Sequence, residues 1–185
     1  TLSLHDALPI YEVPMWFSLM LTIIAAVGMI NAINLIDGID GLSSGFCIMA
    51  SSLFGIMFYF AGNSSMLVLA AVSIGALIPF FFHNVFGRTS KMFIGDGGTL
   101  LMGIILSTFV IRTLTHGTSC ASLNPNLGLI PFTIAVMSIP VFDTLRVMSI
   151  RMLRGKSPFS PDKTHLHHLF IEMGFSHIGA TVSIL

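Results

Sequence analysis

Asn31, Asn34, Asp37 and Asp40 recur at three-residue intervals inside NAINLIDGIDGL, a stretch flanked on both sides by almost wholly apolar sequence. On a helix, at about 100° per residue, neighbouring members of such a row share a face and can act together. An aspartate at mid-bilayer costs roughly 2.5 to 3.5 kcal/mol on insertion scales, so it lines a cavity or lies at a water-accessible end. Gly38, Gly41 and Gly45 let a ligand or another backbone come close. A solvated turn between two helices is the plain alternative, but such a turn needs no set of two Asn and two Asp in register. A calcium loop is excluded, because the twelfth position counted from Asp37 is Ile48 where an EF-hand needs a bidentate Glu.

A second constellation is FIGDGGTLLMG, Phe93 to Gly103, in which Asp96 sits among Gly95, Gly97 and Gly98 immediately before an apolar span. Helix-start amides receive anionic oxygens, and Mg²⁺ is commonly held by one or two carboxylates plus substrate phosphates. Phosphate and a hard cation are the natural guests here, and an N-cap role for Asp96 is the bland reading. The glycines fit neither a dinucleotide fingerprint nor a P-loop: Leu100 stands where the former needs its last Gly, and no Gly-Lys-Ser/Thr follows.

The third is RMLRGKSPFSPDKTHLHHLFIEMG, Arg151 to Gly174. Ser160 before Pro161 signals a helix start and Gly174 a stop, while Leu166, Leu169, Phe170 and Met173 form an amphipathic stripe. Its polar side carries His165 and His168, with Glu172 four further on and His167 pointing elsewhere. The helix is expected at the membrane surface, presenting imidazoles to a cytoplasmic site. Zinc is the competing reading of three histidines, but no good fourth ligand is spaced for it, and Arg151, Arg154, Lys156 and Lys163 would repel a cation and welcome phosphate. A solvated face is the plain one. Asp143 and Arg146, three apart, are expected to pair, and His83 and Asn84 to line the same cavity.

The elements that must position these groups are membrane helices. Of the 185 residues 54% are hydrophobic and 9% charged, against roughly 25% charged in soluble domains. The predicted fold is an all-α polytopic membrane protein with five spans, Met15 to Ile33, Leu42 to Phe60, Met66 to Phe86, Thr99 to Thr115 and Leu127 to Ile150. A sixth starts near Phe175, so the chain reads as a fragment: residues 15–185 are part of a transmembrane domain. Residues 1–14 fit no helix pattern and read as a loop or non-native sequence. Cys47 falls in a span and Cys120 in a loop, which argues against a disulfide framework. If the spans alternate, Arg88, Lys91, Arg146, Arg151, Arg154, Lys156 and Lys163 share one side and only Arg112 falls near the other. That side is cytoplasmic by the positive-inside rule. Asp37, Asp40, Asp96, Asp143 and Asp162 share it too, and acids contribute little to topology. Mixed charge on one face points to an anionic substrate and a cation.

NAINLIDGIDGL, FIGDGGTLLMG, PVFDTLRV and SPFSPDKTHLHHL, in this order, resemble the motifs of the polyprenyl-phosphate N-acetylhexosamine-1-phosphate transferases. HLHH interrupts the three consecutive histidines of the muramoyl-pentapeptide branch, which favours the N-acetylglucosamine branch. The resemblance implies an enzyme of the bacterial inner membrane, its site facing the cytoplasm, that moves sugar phosphate from a UDP-sugar to undecaprenyl phosphate and releases UMP with Mg²⁺ or Mn²⁺. By motif, Asp96 becomes the metal ligand and Asp37, Asp40 and Asp96 the catalytic carboxylates. Asn31, Asn34, Asn84, His165, His167, His168, Arg154 and Lys163 become substrate-binding. The partners so implied are the UDP-sugar, undecaprenyl phosphate and the bilayer, with no nucleic acid; a homo-oligomer is compatible with the sequence. Two departures stand out. The family's adjacent Asp-Asp pair occurs nowhere in the chain, so the fragment alone is expected to be inactive, and Thr99 stands where relatives often have Ser.

A transporter or cation channel with an Asp/Asn-lined cytoplasmic cavity is the alternative, since such residues within spans mark ion paths. It requires polar groups through the whole membrane depth, and the opposite half of each span is almost purely apolar. A structural subunit leaves the clustered Asp, His and Gly unexplained.

Overall fold

A computed structural model describes residues 14–87, 92–116, 128–158, 160 and 164–185. The segment read as a loop or non-native sequence lies outside them except for Pro14. Among the described residues every element is helical: α1 (Met15–Leu35), α2 (Leu42–Phe60), α3 (Ser64–Phe86), α4 (Gly95–His116), α5 (Leu129–Leu153), α6 (Leu166–Glu172) and α7 (His177–Ile184). The first five are long and apolar enough to cross a membrane. At 1.5 Å per residue each rises about 30 Å, the thickness of the hydrocarbon core. The chain is thus a polytopic membrane protein with five spans, and α7 begins where the sixth is expected.

The span boundaries differ where polar sequence continues a helix. α1 runs on to Leu35, α3 starts at Ser64 because the Asn63 side chain accepts the Met66 amide at 3.2 Å, and α5 runs from Leu129 to Leu153. α4 starts at Gly95 instead of Thr99, which places Asp96 within its first turn rather than before it. The expected helix from Ser160 is also corrected: α6 spans only Leu166–Glu172, with His165 extended as its N-cap.

α1 packs between α4 and α5, and α2 packs on α3 and α4. The α1/α4 contact is close because Gly103 lies against Ile30, where an added Cβ would stand 2.8 Å from the Ile30 Cα. Small residues let membrane helices approach in this way. One turn toward the polar end of each helix, the same ridge brings Thr99 to Asn34. The far half of the bundle is closed by aromatic rings: Phe54 meets Phe109 at 5.8 Å and Phe132 at 5.5 Å, and Phe58 meets Phe109 at 5.4 Å. At the other end Asn84 links Gly41 to Met92, and His167 at the start of α6 lies against Gly38, so loop 36–41 meets the described residues that follow α3 and α5.

Candidate active site

The row of four does not stay on one helix. α1 stops at Leu35, and the Asp37 amide bonds the Asn34 carbonyl and the Gly38 amide the Ile36 carbonyl in a tight turn. Only Asn31 and Asn34 therefore share a helical face, and Asp37 and Asp40 stand on the loop that follows. Asn34 donates its Nδ2 to Asp96 Oδ1 at 3.2 Å and to Thr99 Oγ1 at 2.7 Å, which joins the first constellation to the second. Thr99 is 1% exposed and turns its hydroxyl back to the carbonyls of Gly95 and Asp96. Asp96 itself stays exposed at the head of α4.

Asp37 is half-buried and accepts the Ser43 hydroxyl from the first turn of α2. Burial pushes its carboxyl above the usual carboxylate range; the Ser43 bond opposes this and the negative charge of Asp96 adds to it. A cation placed between the two carboxylates would relieve the repulsion that Asp37 feels from Asp96. Asp40 turns the other way: it is buried, its Oδ2 lies 3.1 Å from His177 Nδ1, and its carbonyl accepts the Thr181 hydroxyl at 2.9 Å. α7 thereby holds the loop from behind. Asn84 spends both ends of its amide on main chain, accepting the Gly41 amide at 2.7 Å and donating to the Met92 carbonyl at 2.7 Å. It staples the loop ends. Gly41 needs its left-handed backbone (φ 81°) to begin α2 there.

The histidines reach the same loop. His167, expected to point elsewhere, is buried with its ring against Gly38, parallel to His165 at 5.9 Å and 4.2 Å from the His168 ring. His165 is also buried, its Nδ1 2.9 Å from Asp143 Oδ2. The expected Asp143–Arg146 pair is present at 2.7 Å. Arg154 is exposed at the end of α5, and Lys163 lies outside the described residues.

A groove of about 520 Å³ between α1 and α5 leads into this end. Its apolar stretch is formed by Ile23, Ile24 and Val27, and its polar end by Asn31, Asn34, Arg151 and His165. Sequence reasoning assigned no site role to Arg151, Ser43, His177 or Thr181. Arg151 carried a signal as one of the clustered bases that would welcome phosphate, whereas Thr181 and His177 meet Asp40 across more than a hundred residues and left none.

His167 gives a pH-dependent prediction. Burial pushes its imidazole down to about 4, the neighbouring His168 and His165 push the same way, and Asp143 opposes them. An unfolded histidine titrates near 6.5, so between about 6.5 and 4 the unfolded chain binds more protons and stability falls as pH falls. Thermal unfolding in detergent at pH 7.5, 5.5 and 4.5 should show this decline, and His167→Gln should flatten part of it. Equal slopes for both proteins would refute it.

The chain matches the family described as Glycosyl transferase family 4 over residues 2–114. The chain belongs to glycosyl transferase family 4. It is 34% identical over 171 residues to the undecaprenyl-phosphate alpha-N-acetylglucosaminyl 1-phosphate transferase of Escherichia coli strain K12, covering 91% of this chain and 44% of that protein. The proteins of the same name from Yersinia pestis and Salmonella typhimurium are each 34% identical over 170 residues, covering 91% of this chain and 45% and 44% of theirs. The chain thus spans less than half the length of these relatives. α4 reaches the end of α1 through Thr99 and Asp96, α6 and α7 reach loop 36–41 through His167, His177 and Thr181, and Asp143 on α5 joins them through His165.

Proposed function

We propose that the full-length protein transfers N-acetylglucosamine 1-phosphate from UDP-N-acetylglucosamine to undecaprenyl phosphate and releases UMP, at the cytoplasmic face of the bacterial inner membrane. One observation carries this reading: an apolar groove suited to a lipid chain ends at Asn31, Asn34, Arg151 and His165, whose donors suit phosphate oxygens. The names of the relatives supply the sugar and the lipid.

The residues present fit a hard divalent cation. Among the described residues no group of three or more His, Cys, Asp or Glu is poised to hold a metal. Asp96, exposed beside half-buried Asp37, instead offers one or two oxygen ligands with room for phosphate and water, the usual Mg²⁺ or Mn²⁺ arrangement. Such a cation supplies neutralisation of diphosphate charge.

Phosphoryl transfer asks the protein mainly for positioning and charge stabilisation. An oxygen of the acceptor phosphate attacks the sugar-bearing phosphorus, the bond from that phosphorus to the bridging oxygen breaks, and UMP leaves. Asn31 and Asn34 face the groove from α1, Arg151 and His165 face it from α5 and the start of α6, and Arg154 adds an exposed positive charge at the end of α5. Asp37, held above the ordinary carboxylate range, suits removal of the acceptor's last proton. Asp40 and Asn84 hold the loop.

The transporter reading is disfavoured by the aromatic closure of the far half of the bundle. The deciding experiment is UMP release by the full-length protein in detergent with undecaprenyl phosphate, UDP-N-acetylglucosamine and Mg²⁺. Lipid-dependent release abolished by chelation is expected. A folded protein that releases no UMP from any UDP-N-acetylhexosamine would overturn the proposal in favour of transport.

A further inference from the structure

Asp143 lies just past the middle of α5 with its side chain 4% exposed, and its carboxylate collects an unusual set of donors. Oδ2 meets His165 Nδ1 at 2.9 Å, while Oδ1 accepts the Leu166 amide at 3.0 Å and Arg146 Nη2 at 2.7 Å. Arg146 Nη2 also donates to the Thr164 carbonyl at 2.6 Å. Residues 164, 165 and 166 are therefore each tied, directly or through Arg146, to one carboxylate. The N-cap side chain of α6, His165, makes no capping bond, so the first amide of the helix is satisfied from α5.

Neutralising Arg146 does not account for this arrangement. The Arg146 side chain is 36% exposed and open to water, and a pair of that kind is weak compensation for so buried a carboxylate. The bonds to His165 and Leu166 complete the compensation. A carboxylate only accepts, so the proton of a neutral His165 ring must sit on Nδ1, leaving Nε2 for the groove that His165 lines. When the ring takes a second proton, Asp143 is its counter-ion, and Nε2–H can meet an anionic oxygen.

We infer that Asp143 is a positioning residue: through its carboxylate it sets the tautomer and orientation of His165, and so how that imidazole meets a phosphate at the polar end of the groove. The kinetic half of this inference rests on the transfer reading above; the tautomer half does not.

The test uses the full-length protein with ¹⁵N-labelled imidazoles, the His165 signals being assigned by loss in His165→Asn. The neutral ring should carry its proton on Nδ1; finding it on Nε2 in the unsubstituted protein overturns the inference without any further variant. Asp143→Asn keeps the shape. Its Oδ1 is drawn to the Leu166 and Arg146 donors, so its Nδ2 faces His165 and should reverse the tautomer. UMP release should then fall about 10²-fold in kcat, with KM for the UDP-sugar within about threefold, on the scale seen when a histidine loses the carboxylate that orients it. Arg146→Gln, which removes the ion pair and the bond to the Thr164 carbonyl but leaves the Asp143 bonds to His165 and Leu166, should keep the tautomer and hold kcat within about fivefold. A reversed tautomer with unchanged kcat, or an Arg146→Gln loss equal to that of Asp143→Asn, overturns the positioning role. If the unsubstituted protein releases no UMP, the transfer reading fails and the tautomer alone decides whether Asp143 sets His165.

Discussion

Asp96→Asn should reduce lipid-dependent UMP release by the full-length protein about 10²- to 10³-fold while leaving the fold intact. The substitution is nearly isosteric, and a carboxamide oxygen can still accept the Asn34 Nδ2–H that Asp96 Oδ1 accepts at 3.2 Å. What disappears is the negative charge. Its loss has two opposed effects on stability: the favourable interaction with the head of α4 goes, at about 0.3–1 kcal/mol, and so does the repulsion that helps push Asp37 upward. These nearly offset, so the unfolding temperature should move little. Catalysis has no such offset, because removing one preorganised electrostatic group from a transition state commonly costs about 3–4 kcal/mol, which is the fold-change expected. Retention of activity within about fivefold would mean that the carboxylate of Asp96 does not hold the cation. A large fall in unfolding temperature would mean that Asp96 is structural instead.

How far the site could be read in advance depended on the range of the forces that fix each residue. The spans were legible because apolar length alone dictates them, and Leu42–Phe60 agrees with α2 end for end. The pairing of Asp143 with Arg146 was legible for the same reason, being local. The three-residue row from Asn31 was misleading: its period suits a helix, but α1 closes at Leu35 because the loop turns back on itself and takes His167 against Gly38. The start of α6 was misplaced because its cap comes from Asp143, a residue on another helix. Asn84 looked like a cavity residue, yet its partners are the Gly41 amide and the Met92 carbonyl, on two different loops. No local pattern announces such a bond, and the same holds for His177 and Thr181 on Asp40. Motif resemblance named these residues without telling which of them line the groove, as Asn31, Asn34 and His165 do, and which brace loop 36–41, as Asp40 and Asn84 do.

Gly38→Ala tests the frame itself. The backbone there is unremarkable, with no positive φ at this glycine, so the constraint is space alone. An added Cβ would stand 2.0 Å from His167 Nε2, far inside contact distance. A flexible, exposed side chain would swing away at little cost, but His167 is 3% exposed, with its ring between those of His165 and His168. Relief must therefore come from moving α6 or loop 36–41, and overpacking of this kind costs typically 1–3 kcal/mol. Because the loop carries Asp37 and the neighbouring ring is His165, a shift of about 1 Å should cost roughly 10²-fold in transfer, beyond the loss of stability. His167→Ala alone should be milder, since it opens space without displacing the loop. In the double variant the clash is absent, so the two effects should couple, with the pair more stable than the sum of the singles predicts by about 0.5–3 kcal/mol. Additive losses in unfolding free energy and in UMP release would show that His167 does not seat α6 on Gly38.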